Sequence, residues 1–148
     1  MIFASRLQPL LAAVWVGILL AVGGIAAPNL FAVLDRSMAG VAAGRIFATE
    51  AYVSLVLAIA LFFIERQRTR QSALQAGQSV MSAELMLVMG AMFATVLGHF
   101  ALSPMIVAAK AGQGGSLSFG TLHAMSSSLF LFKGVLVLAL AWRLTGRR

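Results

Sequence analysis

The chain has 148 residues, of which 61% are hydrophobic and only 10% are charged, and its mean hydropathy is +0.97. Ordinary soluble domains are roughly 45–50% apolar and about 25% charged, and a soluble chain of this size has too little interior for so many apolar side chains. Lipid is therefore expected to solvate much of the surface. The net charge of +7 does not indicate a nucleic-acid partner, because the basic residues lie mostly at the ends of apolar runs.

Four apolar runs are long enough to span a bilayer, which requires about 20 mainly apolar residues. They cover about residues 7–34, 39–64, 83–109 and 119–142. The first run resembles a signal peptide in part, but it is longer than the apolar core of such a peptide, so we interpret it as a retained helix. The pattern predicts an all-α integral membrane protein, in which residues 1–148 form one four-transmembrane-helix bundle.

The placement of Lys and Arg predicts the orientation of the chain, since basic residues collect in cytoplasmic loops. Both termini and a polar loop from Glu65 to about Ser82 are expected in the cytoplasm, with the chain in a bacterial inner membrane. Lys133 lies inside a span. The side predicted as cytoplasmic holds Arg6, Arg66, Arg68, Arg70, Arg143, Arg147 and Arg148, and the outer edge holds Arg36, Arg45 and Lys110.

When the two halves of the chain are aligned with an offset of 76 residues, several positions match. Each half is then a helical hairpin whose outward helix ends at a proline. Either an internal duplication, giving two parallel hairpins, or chance similarity explains the matches, and both interpretations stay open. The matched positions are Pro28 with Pro104, Gly44 with Gly120, and Ala48 with Ala124.

Small residues recur every four positions on the second and third helices. Such stripes let helix backbones approach closely in lipid. We expect them to pack in the interior of the bundle, with a dimer face as the alternative. The stripes consist of Gly40, Gly44 and Ala48, and of Gly90, Ala94 and Gly98.

Polar side chains from three helices fall at a similar depth, in the outer half of the membrane. With a rise of 1.5 Å per residue, Glu50 lies about 24 Å from the cytoplasmic boundary and His99 lies roughly 22 Å from it. Lys133 lies near the midplane, at about 15 Å. The predicted polar layer consists of Glu50, His99, His123, Ser126, Ser127 and Lys133.

The charges in this layer are expected to point inward and to pair. A charge near the bilayer centre costs at least about 2.5–3.5 kcal/mol on insertion scales. The simplest prediction is an interaction between Glu50 and Lys133, with His99 and His123 nearby. Intramembrane charge indicates a functional site by default, while a purely structural role in fixing helix register is the alternative.

Several kinds of chemistry fit such a layer. A path for protons or small ions through the titratable groups is one. A haem or transition-metal site on His99 and His123 is the alternative, although no cofactor is predicted. The chain has no cysteine, which excludes thiolate ligands. No arrangement of nucleophile and base is evident, which favours a non-enzymatic protein.

Trp15 lies in an unusual place. It is about 13 Å into the membrane, measured from Arg6, and not in an interfacial belt. It either packs beneath the polar layer or faces lipid.

The segments WVGILLAVGGIAAPNLFAVL, AGVAAGRIF, HFALSP and FGTLHAMSSSLF resemble the transmembrane protein 205-like family. The resemblance covers roughly Trp15 to Trp142 and implies a small four-helix membrane protein without an established biochemical activity. Phe130 and Met105 stand near positions where members of the family often have polar residues. The family pattern marks Trp15, Gly17, Pro28, Phe31, Gly40, Gly44, Phe47, Pro104, His123 and Ser126.

Together these features predict a small multi-pass membrane protein that assists transport or acts as an accessory subunit of a larger membrane complex. Its loops are short, so partner subunits would bind through the lipid-facing sides of the helices. The lipid bilayer itself is the other expected partner.

Overall fold

The computed structural model describes residues 2–77, 79–113 and 115–146. In these residues all regular secondary structure is helical, which confirms the all-α prediction. Four helical spans are long and apolar enough to cross a membrane, and they indicate a multi-pass membrane protein. The spans run over Arg6–Val33, Arg36–Gln75, Ala83–Lys110 and Phe119–Thr145.

The first and third spans are each interrupted by a π-helical segment. The segment Ala21–Ala26 joins α1 to α2, and the segment Leu97–Leu102 joins α4 to α5. The α-helices in chain order are α1 (Ile2–Leu20), α2 (Ala27–Val33), α3 (Arg36–Ala76), α4 (Ala83–Val96), α5 (Ser103–Lys110) and α6 (Phe119–Thr145).

Pro28 and Pro104 do not end their helices, so the prediction of helix termination at these residues is wrong. Each proline lies in the first turn of a new α-helix, which continues to Val33 or Lys110. A proline has no N–H, and its ring clashes with the carbonyl four residues earlier. The wider π turn before each proline accommodates both defects.

The polar stretch after Glu65 is also helical, although it was predicted as a loop. α3 continues to Ala76 and ends where Gly77 adopts a left-handed conformation with φ of 62°. Glu65 pairs with Arg68 one turn further along the helix, which supports this extension. At 41 residues α3 is about 62 Å long, about twice the thickness of the hydrocarbon core.

The long helices contact one another in the order α1, α3, α4, α6 and back to α1. α3 and α6 therefore lie across the bundle from each other. In the most apolar 18-residue stretch of each span, only 17–33% of the residues are buried, so most apolar side chains point outward. The core consists of Ala12, Trp15, Leu19, Ala58, Leu61, Val88, Ala91, Val137, Leu140, Ala141 and Leu144.

The small-residue stripe on α3 does not form the interior face that was expected. Gly44 is exposed, and a Cβ added there would meet nothing within 4 Å, while Gly40 and Ala48 are half-buried. The buried residues at this level are Ala39 and Ala43, which directly precede Gly40 and Gly44 in the chain. One residue turns a helix by about 100°, so the stripe lies beside the interior face instead of on it.

The stripe on the third span packs more closely. Ala94 is buried, and a Cβ added at Gly90 would lie 3.1 Å from Leu136 Cδ1. Gly98 is half-buried, with nothing within 4 Å of an added Cβ. Close approach between α4 and α6 therefore occurs at Gly90.

Candidate functional site

A buried ion pair joins α3 to α6 in the middle of the bundle. Lys133 Nζ donates to Glu50 Oε1 at 2.8 Å and to Glu50 Oε2 at 2.9 Å. Both residues are only 4% exposed. The pairing is the one expected from the high cost of an isolated charge in hydrocarbon. Because α3 and α6 are not adjacent, the two side chains meet across the interior.

Two further side chains extend this pair to a third helix. Ser54 Oγ donates to Glu50 Oε1 and accepts a hydrogen bond from Trp15 Nε1 at 2.7 Å. Ser54 and Trp15 are fully buried. A continuous chain of hydrogen bonds therefore links α1, α3 and α6. We call Trp15, Glu50, Ser54 and Lys133 the inner cluster.

Trp15 thus faces the interior, which decides between the two alternatives that the sequence left open. Trp15 and Ser54 were not among the predicted site residues. Two features of the sequence could have indicated them. Trp15 lies far from the interfacial belt, and the N–H of a buried tryptophan needs a partner. Glu50 and Ser54 have i, i+4 spacing, which places both on one helix face.

Aromatic rings cover the inner cluster on the side nearer the start of α6. Lys133 Nζ lies 5.0 Å from the centroid of the Phe130 ring, within the range of a cation–π interaction. Phe130 packs edge-on against Phe47, with ring centroids 5.2 Å apart. The same ring lies over Gly23 in the first π-helical segment, where an added Cβ would lie 2.6 Å from Phe130 Cε1.

A second polar region lies near the other end of the bundle, about 22 Å further along α3. Glu65 Oε2 accepts from Gln8 Nε2 at 2.9 Å and from Arg68 Nε at 3.0 Å. Glu65 Oε1 accepts from Ser82 Oγ at 2.7 Å. Ser82 also caps α4 by accepting from the Leu85 N–H. Glu65 therefore ties the start of α1 and the start of α4 to α3.

An ion pair completes this region between α4 and α6. Arg143 Nε donates to Glu84 Oε1 at 2.9 Å. The side chain of Arg143 is 51% exposed, whereas that of Glu84 is only 6% exposed. The end cluster is the name we give to Gln8, Glu65, Arg68, Ser82, Glu84 and Arg143.

The two histidines contact aromatic rings instead of the inner cluster. His99 is half-buried, and its ring lies edge-on to Tyr52 and Phe100 at centroid distances of 5.0 and 4.8 Å. His123 is exposed and stacks on Phe119 at 5.8 Å. The expectation that His123 points inward with Lys133 is therefore wrong. Ten residues of α-helix place His123 about 80° around α6 from Lys133.

The serines of α6 also lie outside the inner cluster. Ser126 is half-buried and Ser127 is exposed, while Ser128 donates to the carbonyl of Ala124 in its own helix. Hydroxyl groups in membrane helices commonly bond back to their own backbone in this way. Arg45, predicted at the outer edge, is exposed. Of the predicted polar layer, the structure brings together Glu50 and Lys133.

The described ranges bring few metal-ligating side chains together. Within residues 2–77, 79–113 and 115–146, no three His, Cys, Asp or Glu side chains form a group that could hold a metal ion. His99 and His123 each have aromatic neighbours. The geometry of the two side chains therefore adds nothing in favour of a shared ligand.

The inner cluster can fix the arrangement of three helices. Every buried side-chain nitrogen or oxygen in the described part of the chain has a hydrogen-bond partner. The Glu50 carboxylate accepts from both Lys133 and Ser54, so its charge is balanced and each of its oxygens accepts at least one hydrogen bond. Completed networks of this kind are rigid, whereas loss of one member leaves a buried polar group unpaired.

Comparison with known proteins identifies the chain at the level of a domain family. A family model described as Domain of unknown function (DUF4149) matches residues 10–114, which include Trp15, Glu50 and Ser54. No curated protein matches the chain, and neither does any solved structure. The family match spans well over half of the 148 residues. The chain therefore belongs to the DUF4149 family.

Proposed function

We propose that this protein is a non-enzymatic accessory subunit of a larger complex in a bacterial inner membrane. The observation that carries the proposal is the contrast between its interior and its outward faces. Every buried side-chain nitrogen and oxygen of the described residues has a hydrogen-bond partner, so the interior shows no unpaired side-chain group for a partner protein to complete. The outward faces, in contrast, are large and apolar.

The outward faces provide most of the surface available for a partner. Large apolar side chains project from separate helices, including Val56 (67% exposed), Phe63 (65%) and Leu131 (69%). The connections between the spans are short, so the polar surface outside the bilayer lies mainly on the extension of α3 beyond Glu65. A partner subunit would therefore pack against the sides of the helices within the bilayer.

The buried ion pair suits a subunit that must keep one shape. Between helices in lipid the hydrophobic effect is weak, so packing and polar contacts decide which faces meet. A misrotated α3 or α6 would leave Glu50 or Lys133 unpaired in hydrocarbon, which is costly. The pair thereby favours one helix arrangement and presents a constant outer surface.

Co-purification in a mild detergent tests the proposal. The tagged chain is expected to migrate with other membrane proteins at a fixed stoichiometry. The double variant Glu50→Gln with Lys133→Met, in which neither charge is left unpaired, should keep these partners. The proposal would be contradicted if the chain were recovered without any other protein.

Assistance to transport is a second candidate, because the first helix interruption borders the inner cluster. The first π-helical segment touches Phe130, which covers Lys133. π-helical turns and broken helices are frequent at functional sites of membrane proteins. In proteoliposomes, transport would appear as an ion or solute flux that Glu50→Gln abolishes.

The proposed orientation places both termini in the cytoplasm, in accordance with the excess of Arg near the end cluster. The absence of cysteine makes single-cysteine labelling direct. A cysteine at the exposed Gln71 should be protected from an impermeant maleimide in intact cells, and one at the exposed Gln113 should react. The reverse pattern would overturn the orientation.

An internal duplication is a further part of the proposal. The π-helical segments begin at Ala21 and Leu97, 76 positions apart, which is the offset that aligns the two halves of the sequence. Four pairs of buried residues on α1 and α4 have the same spacing. They are Gln8 with Glu84, Ala12 with Val88, Trp15 with Ala91, and Leu19 with Thr95.

Two narrower expectations remain proposals. One is that, within its family, the chain is a transmembrane protein 205-like protein. The other is the alternative function, a haem or metal site on His99 and His123, which would give an absorbance band or bound metal that His99→Ala and His123→Ala remove.

A further inference from the structure

A groove of about 540 Å³ lies on the outward side of the third span, away from the inner cluster. It runs from the level of His99 to the outer connection, about 18 Å along the helix to Ala111. Ligand pockets in proteins commonly have volumes of about 300–1,000 Å³. The groove is lined by Tyr52, His99, Phe100, Ser103, Pro104, Val107, Ala108, Ala111 and Gln113.

The groove opens toward the lipid-facing surface. Its apolar walls include Phe100 and Val107, which are 52% and 66% exposed on a membrane span. An occupant that reaches the groove from the bilayer must therefore be soluble in lipid. At the level of His99 water is scarce, and polar groups there gain from any partner that lipid cannot supply.

Polar groups nevertheless lie at the deep end of the groove. Tyr52 contributes a phenol, His99 an imidazole and Ser103 a hydroxyl. None of the side-chain hydrogen bonds found among the described residues involves these three groups, and the nearest large set is that of the inner cluster. These three groups are thus available to an occupant that carries hydrogen-bonding oxygens.

The π-helical segment adds a backbone acceptor at the same place. The Ser103 N–H donates to the Gly98 carbonyl, and Pro104 has no N–H with which to make the next bond of the helix. The His99 carbonyl is therefore left without its helical donor. An unsatisfied carbonyl in hydrocarbon costs several kcal/mol, so a donor from a ligand would stabilise this turn.

The rings around the deep end suit a flat occupant. Tyr52 lies edge-on to both His99 and Phe100, and His99 lies edge-on to Phe100. Mutually perpendicular rings favour edge and face contacts with a further ring. A phospholipid acyl chain would fill the apolar walls but would leave the phenol, the imidazole and the carbonyl unpaired.

We propose that this groove binds the head group of a lipid-soluble quinone or quinol. The carbonyl or hydroxyl oxygens of the ring would accept hydrogen bonds from Tyr52 and His99, and a quinol hydroxyl would donate to the His99 carbonyl. The isoprenoid tail would pass the exposed Phe100 and leave the groove toward the lipid. This site is separate from the inner cluster and does not depend on the proposed accessory role.

Calorimetric titration of the full chain in lipid nanodiscs tests the site, with a benzoquinone that carries one isoprenoid unit as the probe and empty nanodiscs as the reference. Saturable binding is expected. Tyr52→Phe removes one hydrogen bond of about 1 kcal/mol, so the dissociation constant should rise about fivefold. His99→Ala removes a donor and a ring, so the rise should be at least about tenfold.

His123→Ala is the matched control, because His123 is a histidine on a lipid-facing surface outside the groove. It should leave the dissociation constant unchanged. Binding that does not saturate beyond the empty nanodiscs would overturn the proposal. The proposal would also be overturned if His99→Ala and His123→Ala changed the dissociation constant equally, or if Tyr52→Phe did not change it. Displacement of the bound quinone by a long alkane as effectively as by unlabelled quinone would overturn it too.

Discussion

The inner and end clusters contain the same kinds of charged groups, but they hold them in different surroundings. In the inner cluster the carboxylate and its ammonium partner are both about 96% buried, since each residue is only 4% exposed. In the end cluster the carboxylates are buried, while the side chains of Arg68 and Arg143 are 44% and 51% exposed. An exposed guanidinium can find water when its partner is lost, whereas Lys133 cannot.

This difference indicates that the two clusters contribute unequally to the stability of the bundle. Exposed ion pairs are typically worth about 0–1 kcal/mol, and in the end cluster water competes for the exposed guanidinium groups. Breaking a buried pair by removing one partner costs about 3–5 kcal/mol, since the remaining charge is left without compensation. The inner cluster should therefore decide whether the helices pack correctly.

The largest effect is expected for Lys133→Met, which keeps an unbranched side chain one atom shorter and removes the charge. It leaves the Glu50 carboxylate buried without its cation, so the free energy of unfolding should fall by about 3–5 kcal/mol. Thermal unfolding in detergent measures this loss. A change below about 1 kcal/mol would show that the two clusters do not differ.

A somewhat smaller effect is expected for Gly23→Ala, which tests how tightly the inner cluster is covered. The new Cβ would lie 2.6 Å from Phe130 Cε1, so the ring must shift away from Lys133. Overpacking of this kind costs about 1–3 kcal/mol. Gly24→Ala is the control, because an added Cβ there meets nothing within 4 Å. Equal melting temperatures for the two variants would contradict the contact.

A loss of about 1–2 kcal/mol is expected for Trp15→Phe, which removes the donor to Ser54 and part of the buried ring. Trp142→Phe should have almost no effect on stability, because Trp142 is 81% exposed. Fluorescence separates the two residues, since lipid-soluble quenchers should reach Trp142 and not Trp15. Equal quenching of the two single-tryptophan variants would place Trp15 at the lipid surface.

The smallest effect is expected in the end cluster. Arg143→Gln should lower the free energy of unfolding by about 1 kcal/mol or less, because the glutamine amide can still donate to Glu84 and water reaches this half-exposed position. The effect should also shrink as the salt concentration rises, since salt screens exposed charges. A loss equal to that of Lys133→Met would remove the distinction between the clusters.

The sequence predicts the spans and the central ion pair because both follow from the cost of placing groups in lipid. Length and composition indicate four spans, and the charges of Glu50 and Lys133 require partners inside them. The participation of Trp15 depends on how α1 is rotated against α3. Depth alone does not determine that rotation.

The incorrect predictions arose where local geometry decides the outcome. His123 was expected near Glu50 and Lys133, but ten residues of α6 separate it from Lys133 and turn its side chain to a different face of the helix. Pro28 and Pro104 suggested helix ends, because the π-helical turns that accommodate them have no clear signal in the residue pattern. The polar composition after Glu65 suggested a loop, although Gly77 marks the end of the helix.

A double-mutant cycle on Glu50 and Lys133 tests most directly whether the buried pair holds the bundle together. It compares Glu50→Gln, Lys133→Met and the double variant by their free energies of unfolding in detergent. We expect the double variant to be more stable than the sum of the single losses implies, with a coupling energy of about 2–3 kcal/mol. Additive losses, within about 0.5 kcal/mol, would contradict the account.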